Sequence, residues 1–123
     1  MKSRTRIGLF VALATGFCAC GTHHQPAGIS WRDVATHVGE RVSVEGVVVG
    51  TRRTERAVFL NFSENWRQDL TVVIFARDFA KWPNADPETP YRQKKIRVRG
   101  KIEHYRDRNE IVVARPDQIQ IIE

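Results

Sequence analysis

Both cysteines and two of the four histidines lie within FCACGTHH, Phe17 to His24. Thiols and imidazoles this close together are groups that hold zinc or carry thiol redox chemistry. What precedes them points elsewhere. Residues 1–20 read MKSRTRIGLFVALATGFCAC: Lys2, Arg4 and Arg6, then the apolar run Ile7–Ala14, then small residues. That is the three-part pattern of an export signal, and its apolar part falls short of the roughly 20 residues that span a bilayer. Cys18 is then discarded with the signal. His37 and His104 are far apart, with no cysteine or paired carboxylate at a ligand spacing, so no metal site is expected.

The segment Phe17-Cys18-Ala19-Cys20-Gly21 resembles the lipobox of bacterial lipoproteins. The resemblance implies a signal over residues 1–19, acylation of Cys20 as the mature N-terminus, and a location in the cell envelope, anchored to a membrane facing the periplasm. Phe17 stands where the family has Leu, and Cys18 where it has a small or β-branched residue; cleavage after Cys18 is the alternative. The charge argument changes with this reading. The whole chain carries +6, but losing Lys2, Arg4 and Arg6 leaves 17 basic residues against 14 acidic, or +3. Any anion-binding case therefore rests on local clusters and not on net charge.

Two such clusters occur, Thr51-Arg52-Arg53-Thr54-Glu55-Arg56 and His104-Tyr105-Arg106-Asp107-Arg108-Asn109. Guanidinium forks match phosphate oxygens and also stack on bases. Catalysis finds no comparable support. The chain has no Gly-rich phosphate loop and no hydrolase or kinase nucleophile motif, so neither enzyme activity nor a cofactor is expected.

The elements that position these clusters belong to one folded unit, since 123 residues suffice for one domain with a core. Residues 20–28 form a polar, Pro-containing tether, and the domain runs over residues 29–123. Ser30 is a helix cap with Asp33 in the first turn, predicting a helix over Trp31–His37 that ends at Gly39. From Arg41 the apolar period becomes two, and strands are expected from Arg41, over Ala57–Phe62, Asp69–Phe75, Lys95–Glu103 and Glu110–Ala114, with a short one at Gln118–Ile122. A brief helix at Arg77–Lys81 precedes an irregular stretch with Pro83, Pro87 and Pro90. GERVSVEG and QKKIRVRG share a glycine at an equivalent strand position, Gly46 and Gly100, where a curling sheet can bend.

GERVSVEGVV, AVFLNF, LTVVIF, KIRVRGKIEHYRDRNEIVV and RPDQI together resemble the OB-fold, in its nucleic-acid-binding, tRNA-anticodon-like kind. The resemblance implies an all-β, five-stranded Greek-key barrel with a short N-terminal helix and a helix between strands 3 and 4. It also implies binding on the outer face of strands 2 and 3, flanked by the two arginine-bearing segments read as loops. Arg52, Arg53, Arg56, Arg106 and Arg108 would then contact phosphates, and Phe59, Phe75 and Tyr105 would stack on bases, with Asn61 on the same outer face. The bland alternative is two solvated turns, with Glu55 and Asp107 offsetting part of the charge. Lys95, Arg97, Arg99 and Lys101 read as a solvated strand face, and Trp66 and Trp82 as caps on the barrel ends. The leading expectation is a non-catalytic module for nucleic acid, single-stranded above all. The alternatives are an envelope module for a small molecule, glycan or protein partner, and a purely structural domain.

Overall fold

The computed structural model describes residues 28–123. The expected export signal, the Cys20 acylation site and all but the last residue of the tether fall outside the described residues. At the start of the described chain, β1 (Ile29–Ser30) pairs in parallel with Val44 and Glu45. Ser30 then caps the segment Trp31–His37, its hydroxyl accepting the Arg32 N–H at 3.2 Å. The segment winds as a 3-10 helix and ends before Gly39, whose φ of +90° is a conformation that suits glycine.

The remaining strands are β2 (Arg41–Val47), β3 (Gly50–Arg53), β4 (Ala57–Asn61), β5 (Thr71–Phe75), β6 (Lys95–Tyr105), β7 (Arg108–Val112) and β8 (Ile119–Ile121). The sheet order is β1-β2-β6-β7-β5-β4-β3, with β8 added to β6, and β5 and β7 run parallel. β2 and β3 are two halves of one bent strand. Around Val48, backbone bonds run to Lys94 and from Gln93 on the β6 side; at Val49 the N–H turns to Asn61 on the β4 side. That handover between neighbours closes the sheet into the five-stranded OB barrel. Alternation fills its interior with Val44, Leu60, Ile74, Val98, Ile102 and Ile111, all fully buried.

Two expectations need correction. Gly50–Arg53 is a strand and not part of a loop, so the first arginine segment shrinks to a turn in which Thr54 Oγ1 accepts the N–H groups of Arg56 and Ala57. His104, Tyr105, Arg108 and Asn109 are likewise in strands, joined by a two-residue turn in which Arg106 and Asp107 take φ of 50° and 66°. Positive φ at both central positions matches the twist of a hairpin. Gly46 and Gly100, in addition, make room for neighbours. A Cβ on Gly46 would lie 2.6 Å from Trp31 and 2.7 Å from Phe62, and one on Gly100 2.7 Å from Ile111.

The connection from β5 to β6 is built of 3-10 turns at Ala76–Lys81, Pro83–Ala85 and Thr89–Tyr91. Trp82 is buried there and donates its indole N–H to the Tyr91 hydroxyl at 2.8 Å, so this tryptophan is core. Glu88 fastens the connection to β3, accepting from the Thr51 hydroxyl at 2.6 Å and pairing with Arg92 at 3.1 Å. The Thr51 hydrogen bond, ahead of Arg92, holds the Glu88 carboxyl below its ordinary pKa against the effect of burial.

Candidate nucleic-acid interface

Strand register determines which side chains share the outer face. Arg52 lies opposite Phe59, Phe59 opposite Val73, and Val73 beside Val112. The next row holds Gly50, Asn61, Thr71, Glu110 and Glu103. Beyond it, Tyr105 and Arg108 face each other at the tip of the β6–β7 hairpin. Val58, Leu60, Val72 and Ile74 point inward, so Phe59 and Phe75 are on the outside as the alternation predicts.

The focus of this face is an indole outside the strands. Trp66, in the loop from β4 to β5, has the guanidinium carbons of Arg67, Arg52 and Arg108 at 4.7, 5.3 and 5.8 Å from its ring centroid. Arg52 and Arg108 also lie over Phe59, at 5.5 and 6.0 Å. Two aromatic rings therefore sit among three guanidinium groups. Among the described residues none of these arginines forms an ion pair, in contrast to Arg97, which is clamped by Glu45 at 2.6 Å. The buried Nε of Arg108 also lacks a hydrogen-bond partner among the described residues. An unpaired buried donor favours an incoming acceptor.

The other expected residues divide. Tyr105 is 49% exposed, with Arg106 stacked over it at 5.3 Å, and lies directly across from Arg108 on the same face. Phe75 is half-buried at the far end of β5, opposite Ala57 and under Arg77 at 5.0 Å. Arg53 leaves the face. It lies on the opposite side of β3, over Phe79 at 4.8 Å. The Asp86 and Glu88 carboxyls nearby are lowered chiefly by hydrogen bonds, from the Thr89 N–H and the Thr51 hydroxyl respectively, and the charge of Arg53 adds to both. Arg56 is exposed at the β3–β4 turn. Asn61 points outward but is only 6% exposed, its amide oxygen accepting from the Thr71 hydroxyl at 3.1 Å, so it stiffens the face beneath the arginines.

Trp66, expected as a cap on a barrel end, lies instead among the arginines of the outer face, and Arg67 is not among the expected residues. The available signal was a Trp-Arg pair inside an otherwise polar loop joining the two strands of the expected face. Glu110 is a further resident of the face. It is half-buried, and burial pushes its carboxyl pKa up while nearby Arg108 pulls it down and Glu103 adds to the rise. Among the described residues no group of three or more His, Cys, Asp or Glu side chains gathers as a metal ligand set.

No family model matches the chain, and no curated protein matches it significantly. Solved structures do resemble it. One is the asparaginyl-tRNA synthetase of Pyrococcus horikoshii with bound asparaginyl-adenylate, at 14% identity and a TM-score of 0.53 over 80% of this chain. Another is a protein assigned as an aspartyl-tRNA synthetase from Leishmania major, at 11% identity and 0.55 over 89%. The chain spans 23% of the length of each. At such identities the likeness establishes the fold: this chain has the barrel that forms about a quarter of those enzymes.

Proposed function

We propose that the protein is a non-catalytic OB module that binds single-stranded nucleic acid on the outer face of β3, β4 and β5 and the β6–β7 hairpin. Bases stack on Phe59, Trp66 and Tyr105, while Arg52, Arg67, Arg106 and Arg108 take the phosphates. The observation that carries this reading is the convergence of Arg52, Arg67 and Arg108 on Trp66 without a carboxylate partner. Flat rings give sequence-tolerant stacking, and unpaired guanidiniums supply charge for a backbone. That the similar barrels occur in two proteins named as aminoacyl-tRNA synthetases supports a nucleic-acid partner. The export signal and the acylation of Cys20 belong to the same proposal, and the mass of the mature N-terminus tests them.

The binding test is a titration of the full chain with fluorescent single-stranded DNA and RNA oligonucleotides at low and moderate salt. Binding should weaken steeply as salt rises, because phosphate contacts release counterions. An absence of binding at low salt refutes the proposal. In that case recovery of a bound envelope protein or glycan would favour the other ligand classes for the same face.

A further inference from the structure

A second cationic site lies on a different part of the barrel, where β2, β6 and the turn before β8 meet. A cleft of about 350 Å³ is lined by Arg41, Val42, Ser43, Arg99, Gly100, Arg115 and Gln118. Three guanidinium groups line it and no acid does, the nearby Asp117 carboxylate being engaged by Arg115. We propose that this cleft binds the phosphate group of a small phosphorylated molecule.

The cleft is built from three elements. Register places Arg41 directly opposite Lys101, and Ser43 opposite Arg99, on the outward side of β2 and β6. Like charges facing each other across a strand pair oppose sheet formation, and neither Arg41 nor Lys101 has a carboxylate partner among the described residues. Lys101 stands outside the cleft lining, so an anion held by Arg41 within it offsets this repulsion from one side. The third wall is held in place by Gln118, whose amide oxygen accepts the N–H groups of Ala114 and Arg115 at 2.9 and 3.1 Å and whose amide donates to Arg99 O at 3.0 Å. The Arg99 guanidinium is oriented by donating through Nη2 to the Asp117 carbonyl at 2.8 Å. Arg115 uses Nε on the Asp117 carboxylate at 3.0 Å, which leaves its two terminal nitrogens free.

Phosphate is the favoured anion because several guanidinium forks can share its tetrahedral oxygens, whereas a carboxylate has only two. The Ser43 hydroxyl adds a donor on the same wall. The volume, at the small end for ligand pockets, admits more than an isolated ion, and Val42 and Gly100 supply an apolar floor. The site shares no residue with the Phe59–Trp66 face and does not depend on its function.

Calorimetric titration of the full chain with pyrophosphate, together with NMR of arginine Nε–H signals, tests the site. Saturable binding with a Kd below about 1 mM is expected, with shifts at Arg41, Arg99 and Arg115. Arg41→Gln should weaken it about tenfold, and R41Q/R115Q should abolish it, the loss of a charge-assisted hydrogen bond being of that size. Both are exposed side chains, so melting temperatures should hold; a variant that melts early is replaced by Ser43→Ala, which should still weaken binding several-fold. Oligonucleotide affinity should not change in any of them. Shifts reproduced equally by chloride, binding only to anionic lipid vesicles, or equal loss of oligonucleotide binding in R41Q/R115Q would each overturn the proposal.

Discussion

Replacing Trp66 by alanine separates stacking from charge on the β3–β5 face. The indole is in contact with three guanidinium groups, at 4.7, 5.3 and 5.8 Å. Each cation–π contact at a half-exposed ring contributes about 0.5–1 kcal/mol. W66A therefore loses roughly 1.5–3 kcal/mol of gross interaction energy, of which solvation of the released arginines returns a part. Binding loses one stacking surface, about 1–3 kcal/mol, or roughly a 5- to 150-fold rise in Kd. The arginines remain, so the dependence of log K on log salt should keep its slope. Arg52→Gln with Arg108→Gln should do the reverse, flattening that slope by about 0.7 for each phosphate of a single strand left without its arginine. Fluorescence anisotropy across a salt series reads both quantities, with a thermal melt to establish that each variant is folded. Unchanged affinity in a folded W66A at low salt would refute the assignment of Trp66 to the interface, whatever the arginine variants do.

Glu110 shares this face with Glu103 and lies near Arg108, and Glu110→Gln should tighten oligonucleotide binding a few-fold; a charge about 10 Å from a phosphate at intermediate dielectric is worth about 1 kcal/mol. Weaker binding in that variant would mean the carboxyl contacts the ligand. Gly46→Ala places a methyl within 2.7 Å of both Trp31 and Phe62 and should cost about 1–3 kcal/mol in denaturant unfolding, by overpacking; no loss would mean the helix carrying Trp31 packs loosely. Acid should destabilise the fold. Glu45 is lowered chiefly by its hydrogen bond from Arg97, and Glu88 chiefly by that from Thr51. Groups depressed in the folded state contribute stability above their unfolded pKa and lose it as pH falls through the folded value, so melting temperature should drop below about pH 4. Glu110, raised in the folded state, works in the opposite sense and softens the drop. Glu45→Gln should flatten the acid limb, and an unaltered limb would rule out that pair as its source.

The barrel is legible in the sequence because its inward positions are β-branched or aliphatic at period two, as in AVFLN and KIRVRGKIE. Gly50–Arg53 breaks that rule. Its inward-side residues are Thr51, which closes on Glu88, and Arg53, which rests on Phe79, so tertiary contacts replace the apolar signal. The hairpin tip reads as a loop because Arg106 and Asp107 adopt positive φ without the glycine or asparagine that normally marks such a turn. Alternation also puts Asn61 on the correct face without revealing that Thr71 takes its oxygen. Trp66 is signalled only by the Trp-Arg pair in its polar loop. A tryptophan in a polar loop has no period, and it is the sheet order β7-β5-β4-β3 that brings arginines of β3 and β7 to it.

The same geometry changes how the basic residues of this chain should be counted. A guanidinium clamped by a carboxylate through two nitrogens, such as Arg97 by Glu45 at 2.6 and 2.8 Å, must loosen that pair before its fork can serve a phosphate. Arg52, Arg67 and Arg108 have only rings to leave. Exchanging a cation–π contact of about 0.5–1 kcal/mol for a charge-assisted hydrogen bond of about 1.5–3 kcal/mol favours the phosphate. The vacated ring face is then open to a base, so moving the arginine and stacking the base become coupled steps. A modest net charge is compatible with nucleic-acid binding on these terms, because what matters locally is how many guanidiniums are unpaired and whether their departure uncovers a π-surface.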